Sequence, residues 1–169
     1  MPRPDLNRVP EFYHGYINKV KEDDLVTALR NSGSSFISLL HTIPAEKQNY
    51  RYAEGKWTIK EVVQHVIDSE RVFSYRALRF SRKDPAPLPS FDENLFAQNA
   101  KIENRNWNDL IDEFTSLRNA TMLMFASFDK EQLEAEGIAS GKPVYVLGIG
   151  FICAGHVNHH RQVIEERYL

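Results

Sequence analysis

The chain has 169 residues, of which 42% are apolar and 26% charged, and its 21 basic and 23 acidic residues leave a net charge of −2. This length and composition predict one globular domain spanning residues 1–169 and exclude a disordered chain. The near balance of charge argues against a nucleic-acid partner, because domains that bind nucleic acid carry a basic excess. The single cysteine, Cys153, excludes an intramolecular disulfide and favours a reducing compartment.

The chain shows no targeting or membrane signal. Its first eight residues (MPRPDLNR) carry charge where a signal peptide needs an apolar core. The longest weakly polar run, residues 144–155, contains three glycines and is shorter than the roughly 18 residues of a spanning helix. We therefore expect a cytoplasmic protein with no membrane partner.

Two segments in the first half of the chain have helical periodicity. The first covers about residues 22–42 and stops before Pro44. The second begins at Thr58, which together with Glu61 predicts a capping box, and it continues to the proline-rich residues 85–89. The apolar residues of the second stripe are Val62, Val63, Val66, Val72, Phe73 and Leu78.

Two further helices are predicted in the second half. The third covers about residues 107–128 with Asn106 as its N-cap, and the fourth covers about residues 147–168. The inward residues expected on the third helix are Leu110, Phe114, Leu117, Leu123 and Met124. Two short β-prone pieces around Ser140 and Gly141 predict a small hairpin before the last helix.

The connection between the second and third helices, residues 85–106, is long for a loop but long enough for a crossover with a short helix near residues 93–100. Four amphipathic helices with one long central connection are typical of a four-helix bundle. The sequence therefore predicts an all-α fold.

The histidines are the residues most suited to chemistry, and the six of them are His14, His41, His65, His156, His159 and His160. His156 and His160 differ by only about 40° in direction on a helix, so both imidazoles can reach one ion. His65 lies on the inward stripe of the second helix, and three histidines from facing helices would leave a metal position open for water or substrate. Hydrogen-bonded core histidines remain the alternative, since an i,i+4 pair is a weak signal.

Three other residues near these histidines are weaker candidates. Cys153 could be a fourth ligand or a nucleophile, although a small buried apolar side chain is the commoner role. Glu61 and Asp68 flank His65 by one turn on each side, so either could orient an imidazole or act as a base. Glu61 already has a capping role, and Asp68 could equally face solvent.

The histidine motifs resemble those of the DinB-like (DinB/YfiT) superfamily of metal-dependent enzymes. Residues 57–70 (WTIKEVVQHVIDSE) resemble its second-helix motif, and residues 139–144 (ASGKPV) with 154–168 (AGHVNHHRQVIEERY) resemble its C-terminal signature. Residues 88–93 and 113–118 also fit, so the resemblance covers about residues 26–169.

The resemblance implies a bundle with up-down-down-up topology and a divalent metal, zinc or nickel, held by three histidines. By position these ligands are His65, His156 and His160. His159 lies about 100° away from the face that the pair shares, so we expect it to be a neighbour and not a ligand. The resemblance also makes a homodimer plausible.

Better characterised relatives are transferases or isomerases that use a low-molecular-weight thiol: bacillithiol, mycothiol or glutathione. The resemblance therefore implies a metal-dependent S-transferase or isomerase acting on a small molecule, because a coordinated thiol loses its proton. The alternatives are a metal-dependent hydrolase with the same ligands, and a non-catalytic binding or stress-response module whose metal is structural or absent. The sequence assigns no catalytic residue beyond the ligands.

Overall fold

The computed structural model describes residues 3–169, and helices make up most of this part of the chain. The helices are α1 (His14–Ile17), α2 (Leu25–Thr42), α3 (Ala45–Gln48), α4 (Ile59–Ser81), α5 (Glu93–Asn99), α6 (Trp107–Ala126), α7 (Lys130–Glu134) and α8 (Val146–Arg167). Short 3₁₀ turns cover Leu6–Arg8, Glu11–Tyr13 and Ile102–Asn104, and the two strands are β1 (Glu136–Ala139) and β2 (Lys142–Tyr145). The four long helices, α2, α4, α6 and α8, confirm the predicted bundle.

Helix α6 packs against both α2 and α4. Its direction is opposite to that of α2 and the same as that of α4. The carbonyl of Leu29 and the ring of Phe36, in order along α2, meet Arg118 and Phe114, in reverse order along α6. Helices α2 and α6 are therefore antiparallel.

Helices α4 and α6, by contrast, run in the same direction. Gln64 accepts a hydrogen bond from Arg105, just before α6, while Glu70 pairs with Arg118 farther along both helices. Helix α8 packs against α2 and α4. It is antiparallel to α4, because the hydroxyl of Tyr168 donates to the carbonyl of Trp57 just before α4. The bundle thus has the up-down-down-up topology that the resemblance implies.

The ends of the helices follow the predicted caps. Thr58 and Glu61 form the capping box at the start of α4, and Asn106 caps α6 by accepting from the backbone N–H of Asn108. Helix α2 begins at Leu25, three residues later than predicted, because Asp24 caps it by accepting from the N–H of Thr27. These caps satisfy backbone N–H groups of the first turn, which have no partner within the helix.

Some apolar residues expected inside lie at the surface. Leu123 is 73% exposed, Leu78 is 38% exposed, and Val72 and Met124 are only partly buried. The buried stripe of α6 passes through Arg118 and Thr121 and ends on Phe125, and Leu123 lies about 200° around the helix from Thr121. The hydrophobic pattern failed here because polar residues occupy inward positions.

The predicted hairpin is present, with Glu136 opposite Tyr145 and Ala139 opposite Lys142. Its turn residues, Ser140 and Gly141, have φ of 54° and 75°, the left-handed pair that a two-residue hairpin turn requires. Leu88 of the crossover joins the hairpin beside Ala139, and α5 confirms the predicted short helix in that crossover.

The segment before α2 was not predicted to be structured, yet residues 3–20 pack against α8. A Cβ at Gly155 would lie 2.1 Å from the carbonyl oxygen of Tyr16, so only glycine allows this approach of α1 to α8. Arg3 donates to the carbonyl of Val20, and Val9 and Ile17 are buried. The N-terminal segment therefore belongs to the fold and contributes residues next to the histidines.

The interior consists of two hydrophobic clusters, one at the hairpin end of the bundle around Phe125 and Tyr145, and one at the other end around Phe36 and Ile164. His156 lies between the two clusters along α8. In residues 3–169, none of the helices combines the length and the apolarity that crossing a bilayer requires.

Candidate metal centre

Three histidines from two antiparallel helices meet inside the bundle. His65 lies near the start of α4, and His156 and His160 lie one turn apart near the middle of α8. The Nε2 atoms of His65 and His160 are each 3.1 Å from Nε2 of His156. All three nitrogens lie within 4.8 Å of one another, so the structure brings together the three residues that the sequence predicts as ligands.

The two 3.1 Å separations are close to those of ligands around one divalent ion. Ligands at 2.0–2.1 Å around a tetrahedral zinc ion are separated by about 3.3 Å. Nε2 of His156 faces two other ring nitrogens at once, and a single neutral nitrogen has either one proton or one lone pair to offer them. A cation between the three rings would accept a lone pair from each, which suits the arrangement better than hydrogen bonds do.

The protonation of the three rings also fits a metal. Burial, together with the smaller effect of the charge of His159, lowers the pKa of His65 to about 4. Burial, reinforced by the neighbouring histidines, holds the pKa values of His156 and His160 well below the usual value. All three imidazoles are therefore neutral at pH 7, the form that binds a metal ion.

A pocket of about 440 Å³ opens beside the three histidines. Its aromatic lining consists of Phe12, Tyr13, Tyr16, Trp57, Phe73 and Phe91. Ser140 and Lys142 line it from the hairpin, and the exposed Glu93 lines it from α5. The cluster is thus reached through a largely apolar cavity, the usual character of a small-molecule site.

Aromatic rings fix the orientation of the imidazoles. The Trp57 ring lies 4.8 Å from His65, and the edges of Tyr16 and Phe73 meet His156 at 5.3 Å and 5.8 Å between centroids. Tyr16 belongs to the N-terminal segment that the sequence analysis missed. Gly155, directly before His156, was the available signal, because a glycine costs stability inside a helix and its missing side chain leaves room for a neighbouring backbone.

The weaker candidates do not join the cluster. Cys153 is buried in the hydrophobic core, where burial raises the pKa of its thiol. Glu61 is held in the capping box, and Asp68 accepts from Gln64. His159 is half-buried, and its ring contacts Tyr16. Among residues 3–169 the cluster contains no fourth histidine, cysteine or carboxylate.

Comparisons with known proteins agree with this fold. The model of the DinB superfamily matches residues 28–164. Among solved structures, the bundle is similar to YfiT from Bacillus subtilis, with a TM-score of 0.76, 14% sequence identity, and coverage of 84% of this chain and 82% of that chain. YfiT is described as a probable metal-dependent hydrolase with an unusual four-helix bundle topology, and at this identity the likeness shows the fold alone.

No curated protein matches the chain. The family model, however, covers most of its length, including the three histidines of the cluster. The chain therefore belongs to the DinB superfamily.

Proposed function

We propose that the chain is a metal-dependent enzyme in which His65, His156 and His160 hold one divalent ion, zinc or nickel. The observation that carries the proposal is the convergence of three neutral imidazoles, one buried and two partly buried, beside an apolar pocket. Three protein ligands leave one coordination position for a ligand from the pocket, which is the pattern of a catalytic site. A structural site would be closed by a fourth ligand, and Cys153, the candidate for that role, lies in the core.

We further propose that the reaction is transfer of a low-molecular-weight thiol, of the bacillithiol, mycothiol or glutathione type, or a thiol-assisted isomerisation. A divalent ion, when bound, lowers the pKa of a coordinated thiol or water. No carboxylate belongs to the histidine cluster in the described part of the chain, and Glu93, which lines the pocket, is exposed. A thiol depends less than water on such a general base, so this lining supports the thiol.

A metal-dependent hydrolase with the same three ligands is the second candidate. It is supported by the description of YfiT as a probable metal-dependent hydrolase. In either reaction the aromatic rings of Tyr16, Trp57 and Phe73 would exclude water and keep the imidazoles oriented.

The first test is metal content. We expect close to one zinc or nickel per chain in untagged protein, and its loss in His156→Ala with the helical content kept. The matched control is His159→Ala, which changes a histidine on the same helix that is outside the cluster. Equal metal content in the two variants, or no metal in the native protein after reloading, would contradict the site.

The second test separates the two reactions. With 1-chloro-2,4-dinitrobenzene as electrophile, a thiol transferase forms a carbon–sulfur bond and releases chloride only when a thiol is present. A hydrolase releases nitrophenolate from 4-nitrophenyl acetate without any thiol. Turnover of the ester alone would favour the hydrolase, and turnover that requires bacillithiol, mycothiol or glutathione would favour the transferase.

We also propose that the chain forms a homodimer, as the family resemblance implies. Sedimentation equilibrium across a range of concentrations checks this, and a molecular mass of one chain throughout that range would contradict it.

A further inference from the structure

Ser69 lies on α4 one turn after His65 and one turn before Phe73. Residues four apart on a helix share a face, with about 5–6 Å between their Cβ atoms. All three residues line the pocket. A polar side chain therefore lies beside the histidine cluster, in a wall that is otherwise mostly aromatic.

The hydroxyl of Ser69 is buried and has no hydrogen-bond partner among residues 3–169. Serines inside helices usually donate to a carbonyl one turn earlier. The other two buried helix serines do so: Ser32 donates to the carbonyl of Leu29 at 3.2 Å, and Ser81 to that of Leu78 at 2.9 Å. The Ser69 hydroxyl differs from both.

A buried hydroxyl without a partner is costly, so its place beside a pocket points to a partner that the pocket receives. We propose that Ser69 binds the substrate through a hydrogen bond to a second polar atom, next to the atom that faces the histidines. The inference rests on the proposed metal site and adds the class of ligand that this site takes.

The ligand class follows from the walls of the pocket. One end of the expected ligand has two polar atoms a few ångströms apart, one facing the imidazoles and one facing Ser69. The rest is apolar, because it lies against the rings of Trp57, Phe73 and Tyr13. A thiol with an amide two bonds from its sulfur and an aromatic body has this form.

Two matched probes test the role of Ser69 in the cobalt-loaded protein. Mercaptoacetanilide has a thiol, an adjacent amide and a phenyl ring. In 3-phenylpropane-1-thiol the amide is replaced by two methylene groups. Both are titrated against wild type, Ser69→Ala and Thr121→Val, with the cobalt absorption spectrum as the readout. Thr121 is the control residue, because its hydroxyl is also buried without a partner in residues 3–169 but lies on α6, outside the pocket lining.

We expect Ser69→Ala to weaken the binding of mercaptoacetanilide by about three- to tenfold, which corresponds to the loss of one hydrogen bond. The affinity for 3-phenylpropane-1-thiol should stay unchanged. Thr121→Val should change neither. The role of Ser69 would be overturned if Ser69→Ala weakened the binding of both probes equally or of neither, or if mercaptoacetanilide failed to bind the wild type. None of these results would contradict the metal site. Failure of the wild type to bind cobalt would instead overturn the metal site and, with it, this inference.

Discussion

Arg118 on α6 and Glu70 on α4 form a buried ion pair in the middle of the bundle. Nη2 of Arg118 lies 2.7 Å from Oε2 of Glu70, and Nε lies 2.9 Å from Oε1. Nη1 donates to the carbonyl of Leu29 and to the hydroxyl of Ser32, both on α2. One guanidinium thus joins three of the four long helices, and both charged side chains are no more than 3% exposed.

We expect Arg118→Ala to lower the free energy of unfolding by about 3–5 kcal/mol, because it leaves the Glu70 carboxylate buried without its partner. The double variant Glu70→Leu with Arg118→Met should lose less, since it removes both charges together. Urea unfolding followed by circular dichroism measures both changes.

The control for this prediction is Glu131→Ala, which removes an exposed ion pair with Lys83. Its free energy of unfolding should stay near that of the wild type, because solvent screens such pairs. If Arg118→Ala unfolds at the same urea concentration as Glu131→Ala, the buried pair contributes nothing to stability.

This ion pair also shows which part of the fold could not be predicted from the sequence, namely the inward face of α6. Capping boxes, proline stops and apolar stripes are local signals, and they predicted the four helices and the hairpin correctly. Glu70 and Arg118 are 48 residues apart and read as surface charges on their own helices. Nothing local identifies them as inward, so the apolar pattern predicts Leu123, and not Phe125, on the inward stripe of α6.

Gly155 controls how closely the N-terminal segment approaches the site. We expect Gly155→Ala to displace α1, because the new Cβ would lie 2.1 Å from the carbonyl oxygen of Tyr16. The strain should cost about 1–3 kcal/mol and speed amide hydrogen exchange in residues 3–20, with exchange in α4 unchanged. The control is Gly15→Ala on α1 itself, where a Cβ meets nothing within 4 Å. Equal protection of residues 3–20 in both variants would contradict this account.

The candidate site shows the same division between local and distant signals. The spacing of His156 and His160 predicts two rings on one face of a helix, and the apolar stripe of the second helix points His65 inward. The family motif then marks all three as ligands. Tyr16 was missed because the N-terminal segment, rich in proline and aromatic residues, has no helical period. It is ordered by its contact with α8, which depends on the tertiary structure.

Cys153 tests whether the metal site is open or closed. We expect Cys153→Ala to keep the metal content of the wild type, because the thiol lies in the core outside the histidine cluster. Inductively coupled plasma mass spectrometry on the two proteins, purified side by side, measures this. Loss of metal in Cys153→Ala, with the helical content kept, would make the cysteine a fourth ligand and favour a structural site.

The last prediction concerns pH and the metal-free protein. Burial lowers the pKa of His65 to about 4, whereas a histidine in the unfolded chain has a pKa near 6.5. Between these values the unfolded chain binds more protons than the folded one, so the free energy of unfolding falls as the pH falls. The slope is at most about 1.4 kcal/mol per pH unit for one imidazole.

We therefore expect chelator-treated wild type to lose stability steadily from about pH 6.5 to pH 4, and His65→Gln to lose less over the same range. Urea unfolding at several pH values measures both slopes. His41→Gln is the control, because it changes an exposed histidine on α2 and should keep the slope of the wild type. If His65→Gln and wild type lose stability in parallel, His65 is not held neutral in the fold, and the readiness of the cluster to bind a metal at neutral pH would need another explanation.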